Sequence, residues 1–122
     1  MAQPAPSLLT AAEYLAFERA SSTKHELFQG QLVAMAGASL EHNVIVANIV
    51  AELRTALRGR PCVALPSDMK VLVQASGHYY YPEASVVCGA AEFADSERDA
   101  IVNPTVVVRL KKRWQTRERR FC

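Results

Sequence analysis

Two carboxylates stand at the start of short apolar runs. Glu83 follows three tyrosines and a proline and precedes the run Ala84–Cys88, and Glu26 lies in the run His25–Phe28. Both runs are typical of strands, since they are short and rich in apolar residues. A carboxylate held at the end of a strand can bind a hard cation such as Mg²⁺, or it can simply lie in solvent. The residues alone leave both interpretations open.

A third polar cluster pairs an acid with a base. Asp68 and Lys70 alternate with apolar residues in the run Asp68–Val73, so we expect one strand that presents both side chains on the same face. Lys70 would then either contact phosphate or lie in solvent. His42 stands near the start of a predicted helix, where it is either a site residue or a partner in a local hydrogen bond.

The elements that must hold these side chains follow from caps and periodicity. Thr10 to Glu13 form a capping box that predicts a short first helix ending near Ser21, and Gln29-Gly30 predicts a hairpin turn. A longer helix is predicted over residues 40–58, with a core-facing stripe of Val46, Ile49, Val50, Leu53 and Leu57. The remaining predicted strands are Gln31–Met35, Cys62–Leu65 and Ile101–Val108. This order favours an α+β fold with a mixed sheet.

Length and composition fit one domain. The chain has 122 residues, half of them hydrophobic, with no apolar run near membrane-spanning length and no secretory signal. We therefore expect a cytoplasmic protein that has no membrane contact. Its three cysteines are widely spaced, which argues against a disulfide framework and favours reduced thiols.

The net charge of +2 is the sum of an acidic segment and a short basic segment. Residues 1–108 carry seven basic and eleven acidic side chains, whereas residues 109–122 carry seven basic ones and a single Glu118. A nucleic-acid interpretation based on overall charge would rest on this basic tail. The three neighbouring tyrosines, Tyr79, Tyr80 and Tyr81, either stack on bases or cover the sheet.

Five segments in order resemble the Uma family (Uma-two) of restriction endonuclease-like proteins, in the PD-(D/E)XK nuclease superfamily. They are KHELFQGQLVAMAGASLEHN, the long helix, RPCVALPSDMKV, YYYPEASVVC and IVNPTVVV, within about residues 8–108. The resemblance implies a restriction-endonuclease-like central mixed sheet flanked by helices. It also implies DNA as the partner and hydrolysis that depends on Mg²⁺ or Mn²⁺. Whether two copies form a homodimer stays open.

The resemblance assigns roles to the polar residues. Pro82-Glu83 is similar to the family's Pro-Asp pair, with Glu in place of Asp, so Glu83 is implied as a metal ligand and catalytic residue. Glu26 matches a second acidic position and is implied as a further catalytic residue and metal ligand, and Lys70 is implied as an assisting catalytic residue. His42 and Asp68 match further polar positions of the family.

Position 109 departs from the family pattern. The strand that matches NPTVVV continues in the family into a glutamate, but this chain has Arg109 followed by Leu110-Lys111. The resemblance therefore predicts residues 1–108 as the N-terminal part of the nuclease-like domain. Residues 109–122 would be a disordered or out-of-frame tail, and the chain an impaired endonuclease fragment with an exposed sheet edge after Val108. The alternative is a module that binds nucleic acid or protein through the basic tail without cutting.

Overall fold

The computed structural model describes residues 8–110 and forms an α+β fold, as predicted. Two helices, α1 (Ala11–Ala20) and α2 (Leu40–Ala56), flank eight strands. The strands are β1 (His25–Phe28), β2 (Gln31–Ala34), β3 (Cys62–Leu65), β4 (Lys70–Val73), β5 (His78–Tyr80), β6 (Ala84–Cys88), β7 (Ala100–Ile101) and β8 (Val106–Val108).

The strands pair in two hydrogen-bonded groups. Five strands lie in the order β2-β1-β5-β4-β7, and three lie in the order β3-β6-β8. The β4–β7 pair is parallel, while β1–β2, β3–β6 and β6–β8 are antiparallel, so the arrangement is mixed. The chain crosses from β5 to β6 through Tyr81, Pro82 and Glu83. This crossing places Glu83 where the two groups meet.

The first helix begins at the predicted cap. The Thr10 hydroxyl accepts a hydrogen bond from the Glu13 N–H, and the Glu13 carboxylate accepts one from the Thr10 N–H. One face of α1 then buries Tyr14 and Leu15 against Leu27, Tyr79 and Ala100. The hairpin turn is also confirmed, with positive φ at both Gln29 and Gly30.

The apolar stripe of α2 faces the sheet only in part. This helix packs against β3 and β6, and all five residues of the predicted stripe are half-buried. No residue of α2 is fully buried, and Leu40, Val44 and Ile45 are exposed. The spacing therefore predicted the correct face but overstated its burial.

Two strand predictions are wrong. Residues 101–108 do not form one strand, because Pro104 lacks an N–H for a ladder and the Asn103 side chain bonds the Glu92 N–H and the Ala90 carbonyl. The chain consequently leaves β7 and joins the other group as β8. Asp68 lies in a turn before β4, so it does not share a strand face with Lys70.

The edge formed by β8 is open within the described residues. The strand is the last of its group, with Val106 47% and Val107 37% exposed. An exposed sheet edge after Val108 was expected. Self-association through it stays a prediction that gel filtration over a range of concentrations would test.

The expectation of three reduced thiols is wrong for two of them. Cys62 and Cys88 lie directly opposite each other on β3 and β6, with Cα atoms 3.9 Å apart, and form a disulfide. Because the two cysteines are 26 residues apart in the sequence, their spacing alone did not indicate that they pair across two strands. The third cysteine, Cys122, lies outside the described residues.

Reducing this disulfide is expected to lower the free energy of unfolding by about 3 kcal/mol, because a bridge over a loop of this length restricts the unfolded chain. Urea unfolding with and without dithiothreitol measures the loss, and a thiol titration of denatured protein should rise by two thiols on reduction. Equal midpoints and equal thiol counts would contradict the pairing.

An arginine on α1 fastens the helix to the loop before β7. Arg19 donates to both oxygens of Asp99, at 2.8 and 2.9 Å, and to Asp95 at 3.0 Å. This hydrogen bonding lowers the pKa of Asp99 to about 2, from a usual 3.8, and Lys70 adds a smaller effect in the same direction.

The Asp99 carboxyl should make folding sensitive to acid. Because its pKa is lower in the folded state, its contribution is present above about pH 4 and is lost as the pH falls towards 2. Urea unfolding at pH 5, 4, 3 and 2 should show a steeper loss in the native chain than in Asp99→Asn. Parallel curves would rule out this linkage.

Candidate functional site

A cleft lined by both apolar and polar residues opens beside the start of β6. It has a volume of about 410 Å³, and Glu83 lies in its wall. The other polar side chains that line it are Thr23, Lys24, Ser39, His42, Asn43, Ser67 and Tyr81. The cleft therefore gathers a carboxylate, a cation and several hydrogen-bond donors around a space large enough for a small anionic group.

Glu83 is held by both its backbone and its side chain. Its N–H donates to the Val108 carbonyl at 2.9 Å, and its Oε1 lies 3.9 Å from the Nε2 of His42. The Glu83 side chain is only 12% exposed. The structure thus brings Glu83 and His42 together.

The start of α2 fixes His42 in this position. Ser39 caps the helix, and its hydroxyl accepts a hydrogen bond from the His42 N–H at 3.1 Å. The Asn43 side chain donates to the Ser39 carbonyl at 3.0 Å. The local hydrogen bond expected of His42 therefore involves its backbone, which leaves its imidazole facing Glu83.

Glu26 lies in a separate cluster with Arg109. The Nη2 of Arg109 donates to the Oε2 of Glu26 at 3.1 Å, and the guanidinium lies 4.8 Å from the centre of the Tyr80 ring. The Nε2 of His78 is 3.6 Å from the other oxygen of Glu26. The Glu26 carboxylate, 14% exposed, is therefore bounded by a guanidinium and an imidazole.

Arg109 is related to both candidate acids, through its side chain to Glu26 and through the neighbouring backbone to Glu83. The antiparallel register ends at the pair of Ala84 with Val108, and the Glu83 N–H donates to the Val108 carbonyl, so Arg109 directly follows the residue that bonds Glu83. Its side chain, however, turns to Glu26. Arg109 therefore forms an ion pair with Glu26 rather than with Glu83.

Lys70 and Asp68 lie away from Glu83. The Lys70 ammonium is buried, 3.5 Å from Asp99 and 5.5 Å from the centre of the Tyr81 ring. Asp68 is 87% exposed and pairs with Lys24 at 2.5 Å. Neither residue lines the cleft, so their catalytic or binding roles stay predictions.

A buried carboxylate that sequence reasoning missed supports both candidate acids. Glu18 accepts hydrogen bonds from the Tyr81 hydroxyl at 2.6 Å, the His25 N–H at 2.7 Å and the His25 Nδ1 at 2.9 Å. His25 directly precedes Glu26, and Tyr81 lies two residues before Glu83. The helical spacing could have predicted that Glu18 is buried, because it is four residues after Tyr14 and so lies on the same buried face of α1.

The tyrosine run covers the sheet and is not free to stack on bases. Tyr79, Tyr80 and Tyr81 are all at least nine-tenths buried. Burial raises the pKa of Tyr81 well above its usual value, and its hydrogen bond to Glu18 raises it further. Tyr81 therefore stays protonated and donates to Glu18.

The residues present do not fit a divalent metal. No group of three His, Cys, Asp or Glu side chains within residues 8–110 is arranged to hold one. The carboxylate of Glu26 is already neutralised by Arg109, and a cation beside a site repels a second cation. The Mg²⁺ or Mn²⁺ that the resemblance implies therefore has no matching set of ligands in this part of the chain.

Within residues 8–110, no helix is both long and apolar enough to cross a membrane.

Two uncharacterised proteins of Synechocystis sp. (strain PCC 6803) are similar in sequence. The protein sll1609 is 34% identical over 100 residues, which are 82% of this chain and 56% of that protein. The protein slr1290 is 36% identical over 80 residues, which are 66% of this chain and 42% of that protein. The chain thus spans about half the length of these relatives.

A solved structure shares the fold and a family profile identifies the sequence. A crystal structure from Anabaena variabilis, described as "a putative nuclease belonging to DUF820", superposes with a TM-score of 0.65 at 16% identity. The superposition covers 90% of this chain and 65% of that one. The profile of the family Uma2, described as "Putative restriction endonuclease", matches residues 11–120. Because this match covers most of the sequence, the chain belongs to the Uma2 family.

Proposed function

We propose that this chain binds DNA on a nuclease-type fold and that its hydrolysis of phosphodiester bonds is suppressed. Metal-dependent endonuclease activity is the activity that family membership suggests. The ion pair of Arg109 with Glu26, at 3.1 Å, is the observation that carries the second half of the proposal. It places a positive charge against one candidate acid, on the residue that follows the backbone partner of the other.

The cleft supports contact with phosphate. Lys24, His42 and Asn43 line it and can donate to phosphate oxygens, as such side chains commonly do in protein–DNA complexes. Glu83 faces the same space, so it would lie beside a bound phosphate. Without a matching metal site, however, Glu83 lacks the cation that would offset its repulsion from that phosphate.

A nicking assay tests the suppressed hydrolysis. Supercoiled plasmid incubated with the full chain in Mg²⁺ or Mn²⁺ should be nicked no faster than with Glu83→Gln. EDTA should make no difference to either rate. Metal-dependent nicking by the native chain that disappears in Glu83→Gln would show that the site is active and would overturn the proposal.

A second candidate function is binding of nucleic acid or protein by the basic tail alone. It is favoured by the charge of residues 109–122, which carry seven basic side chains against one acidic one. Residues 111–122 lie outside the described part of the chain. If this candidate is correct, deleting residues 109–122 should abolish a shift of labelled DNA that persists in EDTA.

A further inference from the structure

Three arginines without partners surround one groove. The groove lies between the end of α2 and β3, has a volume of about 880 Å³, and is lined by Arg54, Arg58 and Arg60. Arg54 and Arg58 are four residues apart on or just after α2. Gly59, with φ +80°, ends the helix and lets the chain turn so that Arg60 reaches the same groove.

The other cations of residues 8–110 are occupied. Arg19, Lys24, Lys70 and Arg109 each pair with a carboxylate, and Arg98 lies over the Phe93 ring. By contrast, the side chains of Arg54, Arg58 and Arg60 are exposed and make no ion pair, hydrogen bond or ring contact with the described residues. The residues that line the groove include no Asp or Glu. The free positive charge of this region is therefore concentrated in one place.

We propose that this arginine groove binds the phosphate backbone of double-stranded DNA, a role that rests on the DNA binding proposed above. Guanidinium groups are well suited to phosphate because they donate in a planar fork. Three of them around one groove give a multiply charged surface. The charge complementarity favours a polyanion over an apolar partner.

Helix α2 links the groove to the cleft beside β6. His42 lines the cleft and Arg58 lines the groove, sixteen residues further along, which is about 24 Å at 1.5 Å per residue. A duplex that lies along α2 with one phosphate in the cleft would reach the arginines about seven base pairs away, at roughly 3.4 Å per pair. The groove therefore anchors flanking DNA and makes binding depend on duplex length.

A length and salt series tests this role. The triple variant Arg54→Gln, Arg58→Gln, Arg60→Gln should bind a 24-base-pair duplex at least tenfold more weakly than the native chain, in EDTA and low salt. Its slope of log affinity against log salt should fall by about 2–3, since each phosphate contact contributes about 0.9. A hairpin with a six-base-pair stem is too short to reach the groove, so the native chain and the variant should bind it equally.

A charge-matched control separates the groove from net charge. The triple variant Arg117→Gln, Arg119→Gln, Arg120→Gln removes the same charge from the tail and should weaken binding to long and short duplexes alike. Circular dichroism must show that both variants are folded. Loss of affinity by the groove variant that is equal for the two duplexes, or no larger than that of the tail variant, would overturn the inference. If the native chain binds neither duplex, the proposed function itself fails.

Discussion

Replacing Arg109 with Glu is expected to create a divalent cation site that residues 8–110 of the native chain do not provide. The substitution removes the guanidinium that neutralises Glu26, and it adds a carboxylate next to Val108, whose carbonyl bonds the Glu83 N–H. One acid in β1, one just before β6 and one just after β8 would then be available as ligands. Hard cations prefer such oxygen ligands, so we expect affinity for Mn²⁺ to rise at least tenfold, or about 1.4 kcal/mol.

The same variant should be less stable without metal. Glu at position 109 faces Glu26 with like charge, so the free energy of unfolding should fall in EDTA and recover in millimolar Mn²⁺. Titration calorimetry and thermal melts with and without Mn²⁺ measure both effects. The matched control is Arg109→Gln, which removes the cation but adds no ligand.

A failure of this prediction would be informative. If Arg109→Glu gains no more affinity than Arg109→Gln, position 109 does not complete a metal site with Glu26 and Glu83. Even if Arg109→Glu binds metal, we expect it to have less than full nuclease activity. Glu83 stands where the family resemblance implies Asp, and its longer side chain shifts the carboxylate oxygens relative to a bound cation. Full activity from this one substitution would contradict that expectation.

Replacing Glu18 with Leu is expected to produce the largest loss of stability. The substitution removes a buried carboxylate that accepts from Tyr81, from the His25 N–H and from the His25 ring. The buried donors of Tyr81 and His25 would then lack partners. Each unsatisfied donor costs about 1–3 kcal/mol, so we expect a total loss of about 3–5 kcal/mol in urea unfolding.

Two variants serve as comparisons for Glu18→Leu. Glu13→Leu makes the same change on the same helix but removes only an exposed capping bond, so it should cost far less stability than Glu18→Leu. Tyr81→Phe removes a single donor to Glu18 and should cost about 2 kcal/mol. If Glu18→Leu costs no more than Glu13→Leu, the buried network is not a significant source of stability.

The local elements were predictable because their signals are short-range. The capping box at Thr10, the turn at Gln29-Gly30 and the apolar spacing of α2 each depend on neighbours within a few residues. The break at Asn103-Pro104 was missed because the apolar residues around it continue a strand-like pattern. The disulfide was missed because pairing of β3 with β6 depends on the register of the whole sheet.

The candidate site was predictable only in part for the same reason. The residues predicted Glu83 at the start of a strand, and the family resemblance added His42, which the structure brings to within 3.9 Å of it. The sequence did not indicate that Arg109 would pair with Glu26, since the two residues are 83 positions apart in the sequence. The local sequence around His78 gave no indication that this residue would lie beside Glu26. Its Nε2 is buried and has no hydrogen-bond partner among the described residues.

The most direct measurement is a crystal structure of the native full chain grown with Mn²⁺, with anomalous data collected to locate the metal. We predict no anomalous peak between Glu26 and Glu83, and a guanidinium of Arg109 within hydrogen-bond distance of Glu26. A manganese peak coordinated by both Glu26 and Glu83, with Arg109 displaced, would contradict the account that Arg109 closes this site to metal.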